Sequence, residues 1–438
     1  MKTRICACLL GTTIICGAGM SAAQTRLTIA TVNNSDMVIM QELSAQYERE
    51  HPDVDLEWVI MEENALRQQL TTDITTNGGQ YDVMTIGMFE APLWGARDWL
   101  QPFEDVPAEY DLDDVLQSVR DGLSADGKLF ALPFYAESQM TFYRTDLLEA
   151  AGETMPEQPT WDDIERIAAA IHDPDKQLYG LCLRGKAGWG ENIGQISPMA
   201  NSYGARWFDM DWKAQFDTPE WKEALTKYVS LVQNYGPPGA SSNGYNESLT
   251  LFATGNCGIW VDATVSAGFL ANPNQSTVIG KVGYALPPIG KYKKGNHYLW
   301  AWALAVPVSS DAPEAAKDFI YWATSKPYIE LVAEHSGWAS VPPGTRISTY
   351  ENSNYTDAAP FAALTLQTIQ DADPTDQTQE EVPYVGISYV GIPEFQSIGT
   401  TVGQEFSAAI AGTKSVDDAL AAAQASTIKA MADAGYTK

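Results

Sequence analysis

The sequence runs to 438 residues, with 56 acidic against 27 basic side chains and a formal net charge of −29. Such an excess of acid argues against nucleic acid or an anionic membrane surface as a partner, since both would be repelled. A chain of this length at 45% hydrophobic residues can bury a large core and is expected to divide into two domains.

Lys2 and Arg4 precede an apolar stretch over residues 5–16, and the small residues Ser21-Ala22-Ala23 follow. This is the pattern of a secretory signal peptide cleaved after Ala23, which places the mature chain in the periplasm. A lipid anchor is not expected, because Cys16 follows Ile15 rather than a small residue and Cys8 lies too early. No later run reaches the ~20 apolar residues of a transmembrane helix. Cleavage removes Cys6, Cys8 and Cys16. Cys182 and Cys257 remain, either joined in a disulfide or separately buried as small hydrophobes.

The mature N-terminus alternates strand and helix. Strands are predicted over residues 27–32, 54–61 and 81–86, with helices after Asp36 to about residue 50 and from Asn64 to Gly78-Gly79. Alternation of this kind indicates a parallel sheet with helices on its faces. Ligands of such sheets sit beyond the carboxyl ends of the strands, which marks residues 33–35, 62–64 and 87–90.

Residues 126–137 form a turn and an extended segment, residues 140–143 continue as a strand, and a helix starts at Thr145. Thr160 and Asp163 are spaced as a helix cap and its acidic partner. Residues 184–203 are rich in glycine and are expected to be irregular. A helix opens at Asp217-Thr-Pro-Glu-Trp221 and ends at Gly236-Pro-Pro-Gly239. A short helix over residues 248–253 leads into a strand over 258–262, and an apolar strand covers 298–307. Helices over 313–324 and 416–434 complete the pattern, with no internal repeat.

This order of elements resembles the extracellular solute-binding proteins of carbohydrate ABC importers, the broad maltose-binding-like family. The resemblance is carried by His51-Pro-Asp-Val-Asp-Leu-Glu-Trp58 and Tyr81-Asp-Val-Met-Thr-Ile86, then by Trp99-Leu-Gln-Pro-Phe103. Further matches are Phe142-Tyr-Arg-Thr-Asp-Leu-Leu-Glu-Ala-Ala-Gly152, Gly255-Asn-Cys-Gly-Ile-Trp260 and Ala312-Pro-Glu-Ala-Ala-Lys-Asp-Phe-Ile-Tyr-Trp322. Within the family, Ile259-Trp-Val-Asp-Ala-Thr264 and Leu299-Trp-Ala-Trp302 are most similar to the branch that binds sorbitol, mannitol and related polyols. The resemblance implies an α/β, two-lobed periplasmic-binding-protein fold with a hinge and an interlobe ligand cleft. It further implies a monomer that delivers its ligand to ABC permease transmembrane subunits with a cytoplasmic ATPase. The expected division is residues 24–135 and 300–340 in the first lobe, 136–299 and 341–438 in the second. Crossings are expected near residues 135–137, Trp300 and residues 336–342.

A polyol presents many hydroxyls and a C–H face, so its pocket needs carboxylates or amides, an Arg and aromatic platforms. Strand-end position and resemblance together single out Asn34, Glu63, Tyr135, Glu137, Arg184, Trp260, Asp262, Trp300 and Trp302, with Phe89 secondary. Each has a plainer reading. Asn34 suits a helix cap, Glu63 the first turn of a helix, Arg184 a surface ion pair, and Phe89 and the tryptophans core packing. Tyr135 and Glu137 lie two apart, as do Trp260 and Asp262, and Trp300 and Trp302, so each pair shares one face of a strand. Replacing Trp260 or Glu137 by Ala is expected to weaken binding with little loss of folding.

No cofactor or metal is expected. His51, His172, His297 and His335 lie far apart without metal-ligand spacing, and neither a Gly-x-Ser-x-Gly elbow nor a Walker-type phosphate loop occurs. A secreted glycosidase, built from paired carboxylates and aromatic platforms, is the principal alternative. A sugar sensor or adhesin on the same lobes is the other.

Overall fold

A computed structural model describes residues 24–437; the expected signal peptide lies outside the described residues. Two β-sheets organise the chain into two α/β lobes. The first sheet runs in the order Val54–Met61, Thr25–Val32, Val83–Gly87, Trp300–Ala305, Leu132–Glu137. Its first three strands are mutually parallel, whereas Trp300–Ala305 runs antiparallel to both its neighbours. The second sheet runs Val282–Ala285, Gln139–Arg144, Cys257–Ala263, Tyr179–Cys182, and only its last pair is parallel.

Local chemistry fixes the helix starts beside the first sheet. Asn34 Oδ1 accepts from the Met37 amide at 2.9 Å and caps the helix Ser35–Glu50. The Glu62 carboxylate accepts from the Asn64 amide at 3.0 Å and caps Glu63–Thr76, which ends at Asn77 in the left-handed conformation. Both caps satisfy amides that no earlier helical turn can reach. The Thr160–Asp163 capping box forms as the spacing predicts.

Ser138 alone separates the last strand of the first sheet from a strand of the second, so the chain passes between lobes at that point. It returns between Ala285 and Trp300. The helix Pro313–Ala323 then packs back on the first sheet, while Phe395–Ile410 and Val416–Asp433 pack against Pro219–Tyr235 in the other lobe. Cys182 and Cys257 are joined by a disulfide, with Cα atoms 6.1 Å apart.

One segment departs from its expected form. Residues 189–193 make a wide turn and Gly194–Tyr203 a regular helix, where the glycines suggested irregular chain. Every residue of that helix is buried. A helix covered on all sides has no polar face, and hence no amphipathic period to read; Pro198 disguises it further. The strands Tyr179–Cys182 and Val282–Ala285 span four residues each, too few to show alternation against their flanks. Among the described residues no helix is long and apolar enough to cross a membrane.

Candidate functional site

The two sheets face each other across a cavity of about 100 Å³ whose wall draws on both lobes. The first sheet supplies a ready-made face. Trp300 pairs with Glu137 and Trp302 with Tyr135 across adjacent antiparallel strands, so the two alternating pairs become four side chains on one face. All four are buried and line the cavity. Trp300 reaches its place over Gly87, where a Cβ would come within 1.9 Å of the indole ring.

Asn34 and Glu63 complete the first lobe's contribution. The Asn34 side chain is divided between two tasks: its oxygen caps the helix, and its Nδ2 donates to the Tyr135 hydroxyl at 3.0 Å. Glu63 accepts from Arg67 Nε at 3.0 Å and Nη2 at 2.9 Å, and Arg67 Nη1 pairs with Glu90. The Arg67 guanidinium lies 3.9 Å from the Trp189 ring centroid and 4.7 Å from that of Trp302. Trp189 belongs to the second lobe, so this cation–π contact joins the lobes, and both side chains are buried, where such contacts are strongest.

Strand register explains the second lobe's contribution. Cys182 pairs with Trp260 in parallel, and two residues further on Arg184 meets Asp262, Nε to Oδ2 at 2.9 Å and Nη2 to Oδ1 at 2.5 Å. Arg184 lines the cavity, while Asp262 is fully buried behind it. Trp260 is also fully buried, stacked on Phe142 and donating from Nε1 to Asp262 Oδ2 at 3.1 Å. Phe89 lies 5.0 Å from Trp189 and 6.1 Å from Phe395, centroid to centroid, in an aromatic cluster behind the wall. Of the ten singled-out residues, seven therefore line the cavity and three, Phe89, Trp260 and Asp262, support it from behind.

Arg67, Lys186, Trp189, Glu191, Gln195, Tyr245 and Tyr298 also line the cavity and escaped the sequence reading. Two left a signal. Tyr298 continues the alternation of Trp300 and Trp302, and Arg67 lies one helical turn after Glu63. Lys186 spans the cleft, 2.5 Å from Glu62 of the first lobe and 3.4 Å from Glu191 of the second. Burial pushes the Glu191 carboxyl up to about 7 against the pull of Arg184. It lifts Glu137 well above the usual carboxylate range. Among the described residues no group of His, Cys, Asp and Glu side chains stands close enough to hold a metal ion.

Residues 32–330 match the family described as bacterial extracellular solute-binding protein. The chain belongs to that family. This solute-binding protein is 55% identical over 438 residues, the full length of both chains, to a mannitol-binding protein of Pseudomonas aeruginosa. Its structure resembles an ABC transporter solute-binding protein of Agrobacterium vitis with bound D-mannitol: TM-score 0.93, 57% identity, 94% of this chain and 100% of the other. It also resembles one of Agrobacterium radiobacter in complex with ribitol: TM-score 0.82, 25% identity, 93% and 99% covered. The cleft of this solute-binding protein is closed by direct bonds. Besides the Lys186 bridge, Asn246 Nδ2 donates to the Asn33 carbonyl at 3.1 Å and Asn64 Nδ2 to the Ala187 carbonyl at 3.3 Å.

Proposed function

We propose that this protein captures an acyclic polyol of the mannitol class in its interlobe cavity and delivers it to an ABC permease driven by a cytoplasmic ATPase. The observation that carries the reading is the likeness, over 94% of this chain, to a structure containing D-mannitol, joined to a wall that suits such a ligand. Trp300 and Trp302 offer flat apolar surface to a carbon chain, while Asn34, Glu63, Glu137, Arg184 and Gln195 offer hydrogen-bonding groups to its hydroxyls. Buried polar groups of this kind select by hydroxyl pattern, because a ligand lacking one hydroxyl leaves its partner unpaired. The closed cleft supports capture by hinge bending about the Ser138 crossing, which lies beyond the expected 135/136 division because Ala136 and Glu137 belong to the first sheet; the other divisions stay at residues 299/300 and 340/341.

In this reading the protein works as an exported periplasmic monomer and turns over nothing. Calorimetry of residues 24–438 with D-mannitol, sorbitol, arabitol, ribitol, xylitol, glucose and maltose is the test. One-to-one binding of a polyol without chemical change is the expected result. Catalytic hydrolysis of a glycoside would establish the enzyme alternative, and binding of none of these compounds would end the polyol reading.

A further inference from the structure

Among the described residues the charged groups at the cavity have ion-pair partners, apart from Glu247, which accepts the Gly244 amide at 2.8 Å, and Glu137. Arg184 gives Nε and Nη2 to Asp262 and Nη1 to the Gly190 carbonyl at 2.9 Å. Lys186 is held between Glu62 and Glu191, and Arg67 between Glu63 and Glu90. Glu137 receives none of these cations. Its Oε2 is buried without a hydrogen-bond partner among the described residues, and its side chain lines the cavity.

The surroundings of Glu137 oppose a second charge. Asp36 faces it from the helix Ser35–Glu50, Glu63 from the helix Glu63–Thr76 and Asp262 from the second sheet, with Arg184 the cation exerting a counter-pull. Tyr135 on its own strand, Tyr245 on the helix Tyr245–Ala253 and Tyr298 before the strand Trp300–Ala305 stand near it as phenols, each less acidic through burial. A carboxyl with no cation of its own, buried among acids and phenols, keeps its proton.

We infer that Glu137 meets the ligand as a neutral carboxylic acid, donating its carboxyl proton in a hydrogen bond to a ligand hydroxyl oxygen. This rests on the polyol reading and deepens it. A polyol hydroxyl both donates and accepts, and a neutral carboxyl answers with one donor and one acceptor where a carboxylate would offer acceptors alone. Burial has already lifted this group well above the ordinary carboxylate range, and a ligand that displaces cavity water lifts it further. Wherever the ligand-free protein is partly ionised at Glu137, binding therefore takes up protons, and affinity falls as pH rises.

The test uses the mature protein, D-mannitol and the variants Glu137→Gln and Glu137→Ala, with folding checked by circular dichroism. Infrared difference spectra of the mannitol complex at neutral pH should contain the C=O stretch of an un-ionised carboxylic acid that is absent from Glu137→Gln. Calorimetry should show Glu137→Gln, a neutral donor and acceptor of the same shape, binding at least about tenfold more tightly than Glu137→Ala. Wild-type protein that binds mannitol without that band, or for which Gln is no better than Ala, overturns this proposal alone. Wild-type protein that binds no polyol overturns the functional reading, and this proposal with it.

Discussion

Arg184 and Asp262 meet in a two-point ion pair, at 2.9 and 2.5 Å, with the carboxylate fully buried. Asp262 also accepts from Trp260 Nε1 and from Gln195 Nε2, the latter at 3.3 Å, so one carboxylate sets the positions of three side chains around the cavity. Removing one partner of a buried pair leaves the other charged and unpaired. Asp262→Ala should cost about 3–5 kcal/mol of stability, read from urea unfolding, and lower mannitol affinity as well. A loss below about 1 kcal/mol would mean that water reaches Arg184.

Gly190 faces Glu63 across the cleft. A Cβ there would stand 1.8 Å from Glu63 Oε1, which Arg67 holds in place. Gly190→Ala should therefore obstruct closure without disturbing either lobe: mannitol affinity falls at least about tenfold, while the unfolding midpoint of the ligand-free protein is unchanged. Small-angle scattering with mannitol should show a more open particle than the wild type. Equal affinity would show that Glu63 gives way.

Sequence position alone predicts that Trp260→Ala impairs binding and spares folding. The indole, however, is fully buried against Phe142, Tyr245 and Phe252, so its removal should open a core cavity and cost about 3–5 kcal/mol. Glu137→Ala, which removes a cavity-lining carboxyl of high folding cost, should instead weaken mannitol binding while leaving stability unchanged or raised. Urea midpoints and calorimetry on the two variants separate the effects.

The disulfide closes a loop of sequence separation 75 between adjacent strands of the second sheet. Loop-closure entropy for such a span gives about 4.5 kcal/mol, an upper bound near the top of the range seen for disulfides. Cys182→Ala with Cys257→Ala, or reduction under mild denaturant, should lower the unfolding free energy by about 2–4 kcal/mol. An unchanged midpoint under reducing conditions would show the bond to be dispensable.

His297 is buried, with Nδ1 bonded to Asn296 Oδ1 at 2.8 Å and Nε2 unpartnered among the described residues, and burial lowers its pKa to about 4. The unfolded chain takes up its imidazole proton near the ordinary 6.5 and the folded chain does not. Stability is thus fully present above about pH 6.5 and is lost as pH falls towards about 4, at up to about 1.4 kcal/mol per pH unit. His297→Gln should remove this slope relative to wild type in urea titrations at about pH 7 and pH 5. Parallel slopes in the two proteins would count against it.

Features set by neighbours in the chain are legible in the sequence itself. The signal-like N-terminus is a matter of local composition. The βαβ alternation, the strand-end loops bearing Asn34 and Glu63, and the alternating Tyr135, Glu137, Trp300 and Trp302 follow from spacings that backbone geometry imposes. What stands opposite each face is decided by the whole fold. Trp260 and Asp262 share a face as their spacing requires, but that face is covered by the helix Tyr245–Ala253 and by Arg184, which makes them support rather than surface. Trp189 lies in a segment with no readable period and reaches the cavity only because the second lobe folds over Arg67 of the first. Periodicity fixes which way a side chain points, while burial and pairing depend on contacts between residues far apart in sequence, and these exist only once the two lobes meet.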